Sequence, residues 1–213
     1  VDWFAPVPGW SSLHALESNL KKLSLFVASF CLFFLLGSTA QAQQFDLTFG
    51  VSTLTSAAST PQLQTMGGGA YLSFGLDFLF YHNLGIGFNA AFRANQNLYQ
   101  GFQPFRPFFY NVGAVYAPPL GKHAQLDLSA GIGASSVRFY TPNFTCNFVG
   151  CTNFVSSNHF LGQFGAAVRL YATPRIFIRP EASIYLINNN FEFSGSRATR
   201  FGVSIGYSFK NQE

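Results

Sequence analysis

Charged side chains are scarce in this sequence. Only 9% of its 213 residues are Asp, Glu, Lys or Arg, against about 25% in a typical soluble domain. A water-soluble chain of this length has a large surface to cover and normally uses charge to cover it, so this chain is short of solvent-friendly surface. The formal net charge of +4 brings one basic cluster, Lys21–Lys22. With no basic stripe elsewhere, a nucleic-acid partner is not expected. Long apolar runs are missing too. The longest apolar stretch, Leu23–Leu36, falls short of the roughly 20 residues that a helix needs to cross a bilayer. Cysteine is sparse at 3 residues, and no second ligand pair stands near Cys146 and Cys151 to make a zinc site. No metal and no cofactor is expected. What is abundant is aromatic and small: 27 Phe and 20 Gly, with aromatics at 18%, a composition that favours strands over helices.

The N-terminal third reads as an export signal. Lys21 and Lys22 precede the apolar stretch, and Gly37-Ser38-Thr39-Ala40-Gln41-Ala42 follows it. A positive region, an apolar core and an A-x-A end describe a secretory signal peptide over 20–42, cleaved after Ala42, with Ala40 and Ala42 as the small residues of the cleavage site. Residues 1–19 carry no periodic pattern and are read as a non-native or mis-called extension, with translation starting at Leu20 through an alternative start codon. In an exported chain, Cys146 and Cys151 of "TCNFVGC" read as a disulfide closing a small loop, with two free thiols as the alternative.

From Phe45 onward the sequence alternates with period two, the mark of strands with two unlike faces. Phe45, Leu47, Phe49 and Val51 are interleaved with Asp46, Thr48, Gly50 and Ser52. Phe201, Val203, Ile205, Tyr207 and Phe209 are interleaved with Gly202, Ser204, Gly206 and Ser208. Eight such stretches follow one another, joined alternately by short connections (80–84, 117–123, 172–175) and long polar ones (53–69, 94–106, 137–158, 188–198). That rhythm predicts an all-β, eight-stranded antiparallel up-and-down barrel over 43–213, of the transmembrane kind with short turns at one end and long loops at the other.

Alternation alone does not say whether the apolar face meets lipid or, as in a lipocalin-like soluble barrel, an inner ligand cavity. Charge placement does. Asp46, Asp77, Asp127 and Glu181 lie on the small polar face, and so do Arg93, Arg169, Arg179 and Arg200. The other face carries no clear mid-strand charge, as the cost of roughly 2–4 kcal/mol for Arg or Lys at the bilayer midplane requires. The apolar rows are therefore expected to face lipid. The charges are expected to form a lumenal ion-pair cluster toward the short-turn end, bracing the barrel. Aromatics near both strand ends, Tyr171 and Phe139 among them, read as two girdles.

On these residues the chain resembles the small outer-membrane β-barrel family, and is similar to the transmembrane domain of outer membrane protein A. The most specific part of the likeness is the last strand, where Arg200, Gly202, Ile205 and Tyr207, with Phe209 as the late aromatic, match the family's polar-x-Gly-x-x-apolar-x-apolar assembly signal. The tail Lys210–Glu213 departs from it by placing polar residues after the aromatic. The resemblance implies a bacterial outer-membrane location, with outer-membrane lipid and the barrel-assembly machinery as partners.

Catalytic chemistry finds little support. "GIGFNA" (85–90) fits a dinucleotide fingerprint in spelling only, since no helix is expected after it. His82 and His123 fall in short turns. His159, near Ser156 and Ser157, stands within reach of the loop residue Glu192 if the fold brings them together. The expected function is non-enzymatic: a structural or surface-binding barrel that presents its loops, chiefly 98–108 and 140–156, to an extracellular ligand. A narrow pore for small solutes is the alternative, followed by a lipid A-modifying barrel enzyme.

Overall fold

The computed structural model describes residues 44–56, 65–147, 150–190, 192–193 and 195–210. The expected extension 1–19, the signal peptide 20–42 and its cleavage residues Ala40 and Ala42 lie outside the described residues.

Nine strands run in order: β1 (Gln44–Ser56), β2 (Ala70–Tyr81), β3 (Leu84–Arg93), β4 (Asn97–Tyr99), β5 (Gln103–Tyr116), β6 (Ala124–Asn147), β7 (Gly150–Tyr171), β8 (Ile176–Ile187) and β9 (Arg197–Lys210). No helix occurs among the described residues. Every pairing is antiparallel. Each ring strand pairs with the next, β9 pairs back onto β1, and β3 pairs with β5 across the intervening β4. The result is a closed ring of eight, with the three-residue β4 folded back on β5 outside it. Closure leaves no free edge within the ring of eight.

Short turns follow local chemistry. His82 and Asn83 both take positive φ, at 41° and 67°, the two-residue arrangement whose twist matches that of the flanking strands. Gln100 and Gly101 do the same between β4 and β5. In the 172–175 turn, Thr173 Oγ1 accepts the Ile176 N–H at 2.9 Å.

The two parities separate cleanly. Phe49, Val51, Ile86, Val112, Ile132, Phe164, Ile178, Val203 and Ile205 are exposed on the outside. Asp46, Thr48, Asp77, Asp127, Arg169, Arg179 and Ser204 are buried within. The seam holds the same order: Phe45 pairs with Phe209 across β1–β9, their rings 5.6 Å apart. Inside, close approach demands small residues. A Cβ on Gly206 would collide with the Phe177 ring. The β7–β8 ladder is interrupted beside Arg179-Pro180, where proline has no N–H to give.

Two expectations change. The stretch 137–158 is not a loop. β6 and β7 pair almost to their tips, with a register shift between Tyr140 and Thr145. β5 stops pairing with β6 at Phe139, and β8 stops pairing with β7 at Leu161. The end of the hairpin therefore stands beyond the ring, closed by the Cys146–Cys151 disulfide with Cα atoms 4.0 Å apart. Its alternation is blurred because both its faces meet water, so the period that marks a half-buried strand fades. The stretch 94–106 likewise holds β4 and the start of β5.

Because the hairpin tip is paired with no third strand, it is expected to open independently of the barrel. Replacing both cysteines (C146S/C151S) should leave the barrel's urea midpoint unchanged. Amide exchange in the hairpin should rise about tenfold or more, as hydrogen-exchange mass spectrometry would record.

Candidate functional site

The lumen is built in storeys, beginning with charge near the short-turn end. β1 and β2 set Asp46 and Asp77 directly opposite each other, a repulsive placement unless a cation lies between them. β7 supplies that cation. The Arg169 side chain is fully buried and its guanidinium meets three carboxylates. It contacts Asp46 through one terminal nitrogen, reaches Asp77 at 2.8 Å through the other, and donates from Nε to Asp127 at 2.9 Å. Arg179 from β8 reaches Asp77 at 2.9 Å and Asp127 at 3.3 Å, and clasps Glu181 Oε2 through Nη2 at 2.8 Å. Arg200 from β9 takes the other Glu181 oxygen at 2.9 Å and Asn89 at 3.0 Å. Asp46, Asp77, Asp127, Glu181, Arg169, Arg179 and Arg200 thus form one continuous network that ties together β1, β2, β6, β7, β8 and β9. Burying so many charges is tolerable only because each is paired and hydrogen-bonded.

Arg93 stands apart from this network. It lies at the far end of β3, opposite Tyr71, and its guanidinium sits 6.0 Å from the centre of the Phe105 ring. It shares the inward parity but not the height. Parity alone does not report how far along the axis a residue lies.

Below the network, Gln44 donates to Asp46 at 2.8 Å and to the Tyr171 hydroxyl at 3.1 Å, and Tyr171 donates to Gln125 at 2.9 Å. Tyr171 is thus a lumenal mouth residue and not part of an outer girdle, because it shares the inward parity of Arg169. Above the network, a cavity of about 40 Å³ lies among Asp77, Asn111, Asp127, Gln163 and Arg200, room for a few waters at most.

The upper storey was not anticipated from the sequence. Leu54, Tyr71, Phe105, Phe109, Val137, Leu161, Tyr185 and Ile187 are inward-facing and buried, and they pack with Met66 and Phe193 from the long loops. Phe109 stacks on Tyr185 at 5.1 Å, and Phe193 lies 5.1 Å from Phe105 and 5.4 Å from Tyr99. Phe139 also turns inward onto this cluster, not outward to a girdle. Arg200, 5.7 Å from the centre of the Tyr185 ring, joins the two storeys. The signal was present on four strands: the inward rows of β2, β5, β6 and β8 reach Tyr71, Phe109 and Phe105, Phe139, and Tyr185 as they near their long loops.

At the rim of this cluster Ser157, His159 and Glu192 do come together. His159 Nε2 lies 3.0 Å from Ser157 Oγ and 3.0 Å from Glu192 Oε2, while Ser157 donates directly to Glu192. A nucleophilic relay needs the acid on one imidazole nitrogen and the serine on the other. Here both partners share Nε2, and the hydroxyl proton goes to the carboxylate. The arrangement straps the last loop to β7, helped by the Tyr99 hydroxyl donating to the Glu192 carbonyl at 2.8 Å. Among the described residues, no group of acids, histidines or cysteines could hold a metal ion.

The residues of the expected assembly signal all lie on β9, divided between its faces. Arg200 and Gly202 point inward, with Gly202 opposite Ser52. Ile205 and Phe209 are exposed outside. Tyr207 packs edge-on against Phe209 at 4.7 Å.

The closed ring, the apolar exterior and the charged interior define an eight-stranded β-barrel of the outer-membrane type. Among solved structures the fold is shared with Ail, the attachment invasion locus protein of Yersinia pestis, in complex with the heparin analogue sucrose octasulfate (TM-score 0.55, 12% identity, covering 78% of this chain and 99% of that one). It is shared also with a major outer membrane protein from Thermus thermophilus (0.54, 11%, 80% and 100%) and with Neisserial surface protein A (0.52, 9%, 79% and 98%). No protein-family model and no curated protein sequence matches the chain.

Arg169 is the cation that makes this constellation of acids tolerable. Replacing it (R169M) is expected to cost about 3–5 kcal/mol, as for other broken buried ion pairs. Denaturant unfolding in detergent micelles would measure the loss. Adding D46N to R169M should recover part of it, because one of the facing carboxylates is then neutral.

Proposed function

We propose that the chain is a non-enzymatic integral protein of the bacterial outer membrane, a closed barrel that holds its long loops and the β6–β7 hairpin outside the cell. The observation that carries this reading is the double closure of the lumen. The ion-pair network fills it near the short-turn end, and the aromatic cluster, corked by Phe193, fills it toward the loops. A solute path would require both to open. A pore is the weaker reading for that reason.

The apolar outer rows support insertion in lipid, since every lipid-facing position in mid-strand is uncharged. By the general layout of such barrels, short turns face the periplasm and long loops the exterior. The last strand, with Arg200, Gly202, Ile205, Tyr207 and Phe209, serves as the segment read by the barrel-assembly machinery. The hairpin is the surface offered to an extracellular ligand. Phe144 and Val155 are exposed on it, at 70% and 66%, where a purely structural turn would carry polar groups.

The refolded barrel in a planar bilayer should show no steady conductance steps. Uniform single-channel openings would replace this reading with the pore.

A further inference from the structure

The lumenal network does not balance. Asp46, Asp77, Asp127 and Glu181 bring four negative charges into it, and Arg169, Arg179 and Arg200 bring three positive ones. Arg93, which shares their inward parity, lies away from them beside Phe105. One negative charge is left over in a narrow lumen, where an uncompensated charge is costly.

The excess falls beside a cavity. From Asp77 on β2 the inward ladder runs through glycine on three strands in turn, Gly87 on β3, Gly113 on β5 and Gly131 on β6, before it reaches Gln163 on β7. Gly87 and Gly113 line the cavity of about 40 Å³ above the network, where their missing side chains leave room. The oxygens around it are those the network does not use. Asp77 and Asp127 make all their ion pairs through Oδ2. Oδ1 of each has no hydrogen bond to a described residue, yet neither is sealed off as Asp46 Oδ1 is. Asp77 Oδ1 lies over Gly87, where a Cβ would come within 2.7 Å of it. Asn111, 6% exposed, lines the same cavity. Its Nδ2 is sealed without a partner, and its Oδ1 is the end that remains reachable. Gln163 gives Nε2 to Ser129 at 3.0 Å, which leaves its own Oε1 to accept. Arg179 and Arg200 also border the cavity, but their terminal nitrogens are spent on Asp77, Asp127, Glu181 and Asn89.

Carboxylate, amide and hydroxyl oxygens are hard donors, suited to an alkali or alkaline-earth cation. No third acid, histidine or cysteine joins them, so they do not make a transition-metal centre. A single excess charge matches a monovalent ion, and a void with room for a few waters matches a small one. We propose that this cavity binds one small alkali cation, sodium, through Oδ1 of Asp77 and of Asp127, with Asn111, Gln163 and Ser129 completing its shell. The ion is enclosed as β9 closes the ring, so it enters during folding and needs no open path afterwards. It brings the network to neutrality, and it is independent of what the loops and the hairpin bind.

The test follows urea unfolding of the whole barrel in detergent micelles. Sodium chloride is exchanged for choline chloride at constant ionic strength, so screening is fixed and only the bound ion varies. Choline is too large for the cavity. In wild type the apparent unfolding constant should fall about tenfold for each tenfold rise in sodium above the dissociation constant. D77N keeps an oxygen for Arg169 and Arg179 but makes the network neutral, and its unfolding constant should change less than about twofold over the same range. If D77N fails to fold, N111L keeps every charge and removes one ligand. It should need about tenfold more sodium for the same stabilisation. A wild-type unfolding constant that is equal in sodium and in choline would overturn the site, whether or not acid then stabilises the barrel by supplying a proton in place of the ion. D77N or N111L responding to sodium as wild type does would overturn it too.

Discussion

Backbone N–H and C=O groups that face hydrocarbon have no water to turn to, so each must find its partner inside the protein. The pairing of β9 with β1 meets that condition by closing the ring. Everything else follows from it. Once the ring is closed, strand geometry sends alternate residues to opposite faces, and a residue must suit either lipid or a narrow lumen. Phe49, Val51, Val203 and Ile205 suit the first; Asp46, Gly50, Ser204 and Gly206 suit the second.

The lumen then has its own problem. Eight strands leave an interior that side chains must fill, and the two storeys fill it by different physics. Near the short turns, Arg169 and Arg179 draw acids from separate strands onto shared guanidiniums, so that the network specifies which strands come together as well as holding them. Nearer the loops the filling is aromatic, and it recruits Met66 and Phe193 from connections that would otherwise be free to move. Arg200 belongs to both, paired to Glu181 and lying against Tyr185.

Much of this was legible in the sequence, because alternation encodes face directly. The outward rows and the inward parity of the charged residues could be read without coordinates. Height along the axis could not. Arg93 shares the parity of Arg169 yet sits beside Phe105, because the tilt and stagger of the strands set depth and leave no period in the sequence. Phe139 and Tyr171 look like girdle residues by type and position, and only their parity, followed through the strand, places them inside. The β6–β7 extension escaped for a different reason. A hairpin wet on both faces needs no apolar row, so its pairing depends on register and a disulfide instead of pattern. The gathering of Ser157, His159 and Glu192 depends on a loop folding back onto β7, a long-range event that no local signal encodes.

The division of faces is most directly tested on the last strand. Nitroxide labels placed singly along β9 of the barrel in lipid vesicles should report oxygen collision rates that rise at Val203 and Ile205 and fall at Ser204 and Ser208, in strict alternation. Rates that peak at the serine positions, or that lose the period of two, would contradict the account.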